Sequence, residues 1–138
     1  MLMRILVLCT GNVARSQMAA AFLRELLRDR AEVFSAGSRP EVQLWQPVVD
    51  AMAEVGIDIS SERPKSVSEF EGVEFDWVIT VCDSAHHACP VGPPSARRLH
   101  RAFPDPRALA AQAGDPTAVV RDIREQIREW AESFVAEM

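Results

Sequence analysis

A chain of 138 residues, 48% hydrophobic and 25% charged, has the size and balance of one globular domain with one core. No apolar run nears the roughly 18 residues of a membrane span, and the stretch 5–9 is too short for a secretion signal, so the expected location is the cytoplasm. The net charge of -5 argues against nucleic-acid binding, and three cysteines in such a chain make no disulfide framework, which leaves metal binding or thiol chemistry.

Residues 3–9 form an apolar run rich in branched side chains, as expected of a strand buried on both faces of a parallel sheet. Thr10-Gly11-Asn12 then turns the chain. From Ser16 onward Met18, Phe22 and Leu26, flanked by Ala19, Leu23 and Leu27, make a wide helical stripe, with Arg24, Glu25 and Arg28 on its polar side. Residues 31–36 read as a second strand closed by Gly37. Pro47 takes a first helical position before Val48, Met52 and Val55, and Gly56 ends that helix. Ser66 and Glu69 have capping-box spacing for a further short helix. Residues 77–81 are the next strand, and 96–100 a fourth, whose Arg97, Arg98 and Arg101 suit a sheet edge. Asp115-Pro116 caps a closing helix bearing Val119, Val120, Ile123, Ile127, Trp130 and Phe134.

This alternation predicts a single α/β domain over residues 1–138, a three-layer sandwich with a four-stranded parallel sheet and helices on both faces. Ligands of such folds sit beyond the carboxyl ends of the strands. The segment 9–16 leaves the first strand at that end. Its order, Cys9-Thr10-Gly11-Asn12-Val13-Ala14-Arg15-Ser16, lets the backbone amides turn inward around an anion, while Arg15 offers a planar fork to two oxygens. The same positive field favours Cys9 as a thiolate nucleophile. Gly11 permits a tight turn, Asn12 tolerates unusual backbone angles and Ser16 stands at the helix start, which together weigh against a cysteine that merely closes a strand.

The loop resembles that of the low-molecular-weight protein tyrosine phosphatases and of the thioredoxin-coupled arsenate reductases that share their fold. Most of the chain can be laid along either, including Phe34-Ser35-Ala36-Gly37, Asp58-Ile59-Ser60 and Phe103-Pro104-Asp105-Pro106. Cys82 and Cys89, seven apart after a strand, resemble the reductases. That resemblance implies that Cys9 attacks arsenate, Cys82 releases arsenite by forming a disulfide with Cys9, and Cys89 takes over that disulfide for thioredoxin to reduce. It also implies that Asp105 is a general acid, although a carboxylate that only shapes the turn before Pro106 explains it as well. No bound organic cofactor or metal is implied, phosphate and sulfate are expected to mimic arsenate, and the protein is expected to be a monomer that engages neither nucleic acid nor membrane.

Three departures bear on the choice. Ala14 stands where the phosphatases usually carry a second loop cysteine, which favours the reductase, whereas Val13 is phosphatase-like. Ala20 and Lys65 occupy positions where some reductases place potassium-binding acids, so Lys65, the only lysine, is a candidate to steady the loop near Asn12 in place of the ion. The chain has no tyrosine, and Arg107 follows the late Asp-Pro where the phosphatases often place an aromatic residue. A phosphatase working through a Cys9 phosphoenzyme stays open as the alternative. So does a non-catalytic anion or zinc sensor, since Cys82, His86, His87 and Cys89 carry zinc-ligand atoms at a non-standard spacing.

Overall fold

The computed structural model describes residues 2–82 and 93–138. In chain order these form β1 (Met3–Cys9), α1 (Arg15–Leu27), a 3-10 turn (Arg28–Arg30), β2 (Ala31–Gly37), α2 (Gln46–Glu54), a 3-10 turn (Val67–Phe70), β3 (Phe75–Thr80), β4 (Ser95–His100), α3 (Pro106–Ala113) and α4 (Pro116–Glu137). The strands make one parallel sheet in the order β2-β1-β3-β4. β1 lies inside it and β4 at an edge, as their apolar and arginine-rich sequences predict.

Residues alternate across a strand, so β1 feeds two cores. Ile5, Val7 and Cys9 belong to the larger one, with α1, α2 and α4, while Leu6 and Leu8 join Ala36, Phe75 and Val78 on the opposite face. Helices therefore cover both faces unequally: three long ones on the first, and the 3-10 turn carrying Phe70 on the second. There Phe34, Phe70 and Phe75 interlock, with ring centroids 5.4 to 6.1 Å apart.

α4 begins as its sequence predicts, with Asp115 accepting hydrogen bonds from the Thr117 and Ala118 amides, and buries Val120, Ile123, Ile127, Ala131 and Phe134. Arg121 and Arg124 tie it to Glu54 at the end of α2, and both hydrogen bonds hold that carboxyl down at about 2. The helix expected from Ser66 is a single 3-10 turn. Ser66 does cap it, accepting from the Ser68 amide at 3.1 Å, but Glu69 turns chiefly to Arg63, so the reciprocal half of the capping box is weak.

α3 has no counterpart in the sequence reading, which sees only a turn at Asp105-Pro106. Its sole buried residues are Pro106 and Ala110, too sparse for an apolar stripe. It is defined instead by its ends: Asp105 accepts from the Arg107 amide at 3.0 Å, and Gly114 closes it in the left-handed conformation at φ 74°. Among the described residues, no helix is long and apolar enough to cross a membrane.

Candidate active site

Parallel register brings the carboxyl ends of the strands to one edge. Cys9 stands opposite Gly37, Leu8 opposite Thr80, and Thr80 opposite His100. The segment 9–16 crosses this edge and enters α1, whose N-terminus has no side-chain cap and no acidic residue in its first turn. Uncapped amides at a helix start are a ready anion site.

The loop's carbonyls show which way its amides point. Cys9 O accepts from the Ser38 amide, Thr10 O from Arg39, Gly11 O from Glu41 and Val13 O from Trp45, all on the segment between β2 and α2, at 2.9 to 3.4 Å. Asn12 O accepts from the Gln17 side chain at 3.1 Å and Ala14 O from the Met18 amide at 3.0 Å. In a trans peptide the N–H opposes the C=O. With these oxygens drawn to neighbouring segments, trans geometry leaves the amides of residues 10–15 facing the opposite way.

Asn12 is the pivot. It is fully buried, takes the left-handed φ of 57°, donates from Nδ2 to Ser16 Oγ at 2.8 Å, and accepts at Oδ1 from the Lys65 amide at 3.0 Å and from Gln17 Nε2 at 3.2 Å. The positive angle thus falls on Asn12 and not on Gly11. Gly11 matters for a different reason, the absence of a side chain: a Cβ there would lie 2.7 Å from Glu41 Oε2. Gly37 does more than close β2, because a Cβ on it would stand 2.4 Å from Thr10 O, closer than any side chain allows.

Arg15 is buried and donates from Nη1 to Phe103 O at 3.0 Å. The Phe103 amide in turn donates to Val81 O at 3.2 Å, so one chain of contacts runs from the loop through Phe103 to the residue before Cys82. Cys9 and Cys82 are buried in the same core. Cys9 has a free thiol, whereas Cys82 is disulfide-bonded. Cys89, His86 and His87 lie outside the described residues, and no cluster of three metal-ligating side chains occurs among the described ones.

Asp105 caps α3 and is partly exposed. Beside it, Arg107 forms a two-point ion pair with Glu41, with Nη1 to Oε1 at 2.9 Å. That hydrogen bonding holds the Glu41 carboxyl below its ordinary value and raises Arg107, which also feels the charges of Asp105 and Cys9. Lys65 is half-buried, its amide on Asn12 and its ammonium donating to Ser35 Oγ at 3.4 Å and Arg63 O at 3.3 Å, and burial lowers its pKa. Sequence reasoning did not find Gln17, Glu41 or Phe103 here, nor the ion pair of Arg107. Gln17 is fully buried within a helical stripe of apolar residues, and that polar interruption was the one available signal.

A buried cysteine at the end of β1, a loop whose carbonyls are drawn to neighbouring segments and an anchored arginine make an arrangement chemically able to hold a tetrahedral oxyanion against sulfur. The chain belongs to the low-molecular-weight phosphotyrosine protein phosphatase family, whose model matches residues 4–138. Arsenate reductase 2 of Staphylococcus epidermidis is 37% identical over 131 residues, covering 94% of each chain. A solved arsenate reductase in the phosphate-binding state superposes with a TM-score of 0.80 at 26% identity, over 99% of this chain and 98% of the other. A thioredoxin-dependent arsenate reductase of Corynebacterium glutamicum gives a TM-score of 0.67 at 27% identity, over 99% of this chain and 64% of that one.

Proposed function

We propose that this protein reduces arsenate to arsenite by a three-cysteine relay that thioredoxin resets. The observation that carries the reading is a free Cys9 at the loop together with an oxidised Cys82 in the same core. This is the arrangement in which a turnover would end.

In the relay the Cys9 thiolate forms an S–As bond to arsenate and expels an oxygen, which Asp105 protonates so that it leaves as water. Cys82 then attacks Cys9 Sγ. The S–As bond breaks with its electron pair going to arsenic, which leaves as arsenite, and a Cys9–Cys82 disulfide remains. Cys89 attacks Cys82 Sγ and restores the Cys9 thiolate, leaving a Cys82–Cys89 disulfide. Two electrons pass from the thiols to arsenic, and the thioredoxin dithiol replaces them. The inward amides and Arg15 hold the anion throughout. Similarity to arsenate reductases, one of them thioredoxin-dependent, supports the same reading.

The test is to mix reduced protein with arsenate and locate the disulfides by mass spectrometry. Wild type is expected to accumulate Cys82–Cys89, and Cys89→Ser to accumulate Cys9–Cys82. If neither forms while phosphoesters are hydrolysed rapidly, the protein is a phosphatase.

Lys65 is the loop's built-in cation in this scheme. Its ammonium bridges Ser35 and Arg63 while its amide holds the Asn12 pivot. Lys65→Ala is expected to weaken phosphate binding about fivefold, within the range of one lost charge-assisted contact, and to make it newly responsive to potassium. Unchanged binding with unchanged potassium response would remove Lys65 from the site. Because burial lowers its pKa, the wild-type contribution should fade at a less alkaline pH than an ordinary lysine would show.

A further inference from the structure

The rim of the oxyanion loop is occupied by an ion pair. Glu41 is held there by its own amide, which donates to Gly11 O at 3.1 Å, and its carboxylate lies over Gly11 where a Cβ would otherwise stand. Arg107 reaches the same spot from α3, with Nη2 3.7 Å from that Cβ position, while its amide donates to the capping carboxylate of Asp105. Arg107 also feels the charges of Asp105 and Cys9.

In-line displacement sends the leaving oxygen away from the attacking sulfur, so anything attached to that oxygen must project out of the loop past the rim. Hydroxide needs no further room. An aryl group must find a wall, and at this rim it meets a bidentate carboxylate–guanidinium pair. Phe34, Phe70 and Phe75 pack under the sheet and Trp77, Trp130 and Phe134 along α4, Phe103 turns its ring to Trp130, and Trp45, whose amide meets Val13 O, is the aromatic residue that flanks the loop from the α2 side.

We propose that the Glu41–Arg107 ion pair determines specificity, closing the mouth of the loop to the size of an inorganic tetrahedral oxyanion and turning away aryl phosphate esters. This rests on the reading of the protein as an arsenate reductase. The pair links two segments 66 residues apart, so either partner's loss opens the rim.

The experiment compares wild type with Glu41→Ala, Arg107→Ala and the double variant, measuring kcat/KM for p-nitrophenyl phosphate and the dissociation constant of inorganic phosphate. The discriminating quantity is kcat/KM multiplied by that dissociation constant, which cancels any general weakening of the loop. It is expected to rise about tenfold or more in the double variant, the scale on which a pocket admits or rejects an extra group. Glu41→Gln keeps the bulk and breaks the ion pair, and should give a smaller rise. An unchanged value in both single alanine variants overturns the proposal. Arsenate-driven disulfide formation in wild type, followed in parallel, separates the two readings: if it occurs and the discriminating quantity does not move, only the ion-pair proposal fails.

Discussion

Replacing Cys9 by serine is expected to abolish arsenate reduction, with a loss of at least about 10⁴-fold, the scale seen when a covalent nucleophile is removed. Two steps fail together. A hydroxyl is a far weaker nucleophile than a thiolate toward the anion, and an oxygen at this position cannot accept the attack of Cys82 to make a disulfide, so the electrons have no route to arsenic. The loop itself should survive. Its shape is set by Asn12, Gly37 and the amides of residues 38, 39, 41 and 45, which donate to the loop's carbonyl oxygens. Phosphate binding by calorimetry should therefore stay within a fewfold of wild type while arsenite production in a thioredoxin-coupled assay disappears. Sustained arsenite production by Cys9→Ser would move the nucleophile to another residue.

Arg15→Lys should lower kcat/KM for arsenate by about 10² to 10³-fold, comparable to the loss of a preorganised donor to developing charge. Charge is preserved in this variant, so the effect isolates geometry. The guanidinium is buried and fixed by its bond to Phe103 O, and that planar fork can be anchored by one nitrogen while others face the anion. A lysine ammonium is a compact point charge on a flexible stem and cannot match two oxygens in a plane while holding the Phe103 carbonyl. Both kcat and KM are expected to suffer, and steady-state kinetics with arsenate would show it. A loss below about fivefold would reduce Arg15 to a general source of positive potential.

The difference between these residues and the rim shows what a sequence can carry. The loop is written in consecutive residues: a strand end, a turn, an arginine and a helix start are local, so their order is visible in the sequence. The apolar runs of β1 and β3 and the stripes of α1 and α4 were legible for the same reason, since a short continuous apolar run and a period of about 3.6 are both local properties of the chain. Asn12 was legible as a residue that tolerates unusual angles, yet its bonds to Lys65 and Gln17 were not, because they depend on where residues 63–66 pass beside the end of β2. α3 escaped notice because its short, alanine-rich turn buries almost nothing.

The sequence alone determined that this chain has an α/β fold with a cysteine where the first strand turns toward a helix. Local pattern suffices for that, because every part of the loop lies within eight consecutive positions. Tertiary structure alone decided what surrounds the loop: the Phe103 carbonyl that orients Arg15, the second cysteine placed in the same core as Cys9, and the meeting of Glu41 with Arg107 over Gly11. Those partners lie 88 and 66 residues apart in the two hydrogen-bonded cases. No spacing rule connects such positions. They meet because parallel strands deliver all their carboxyl ends to one edge.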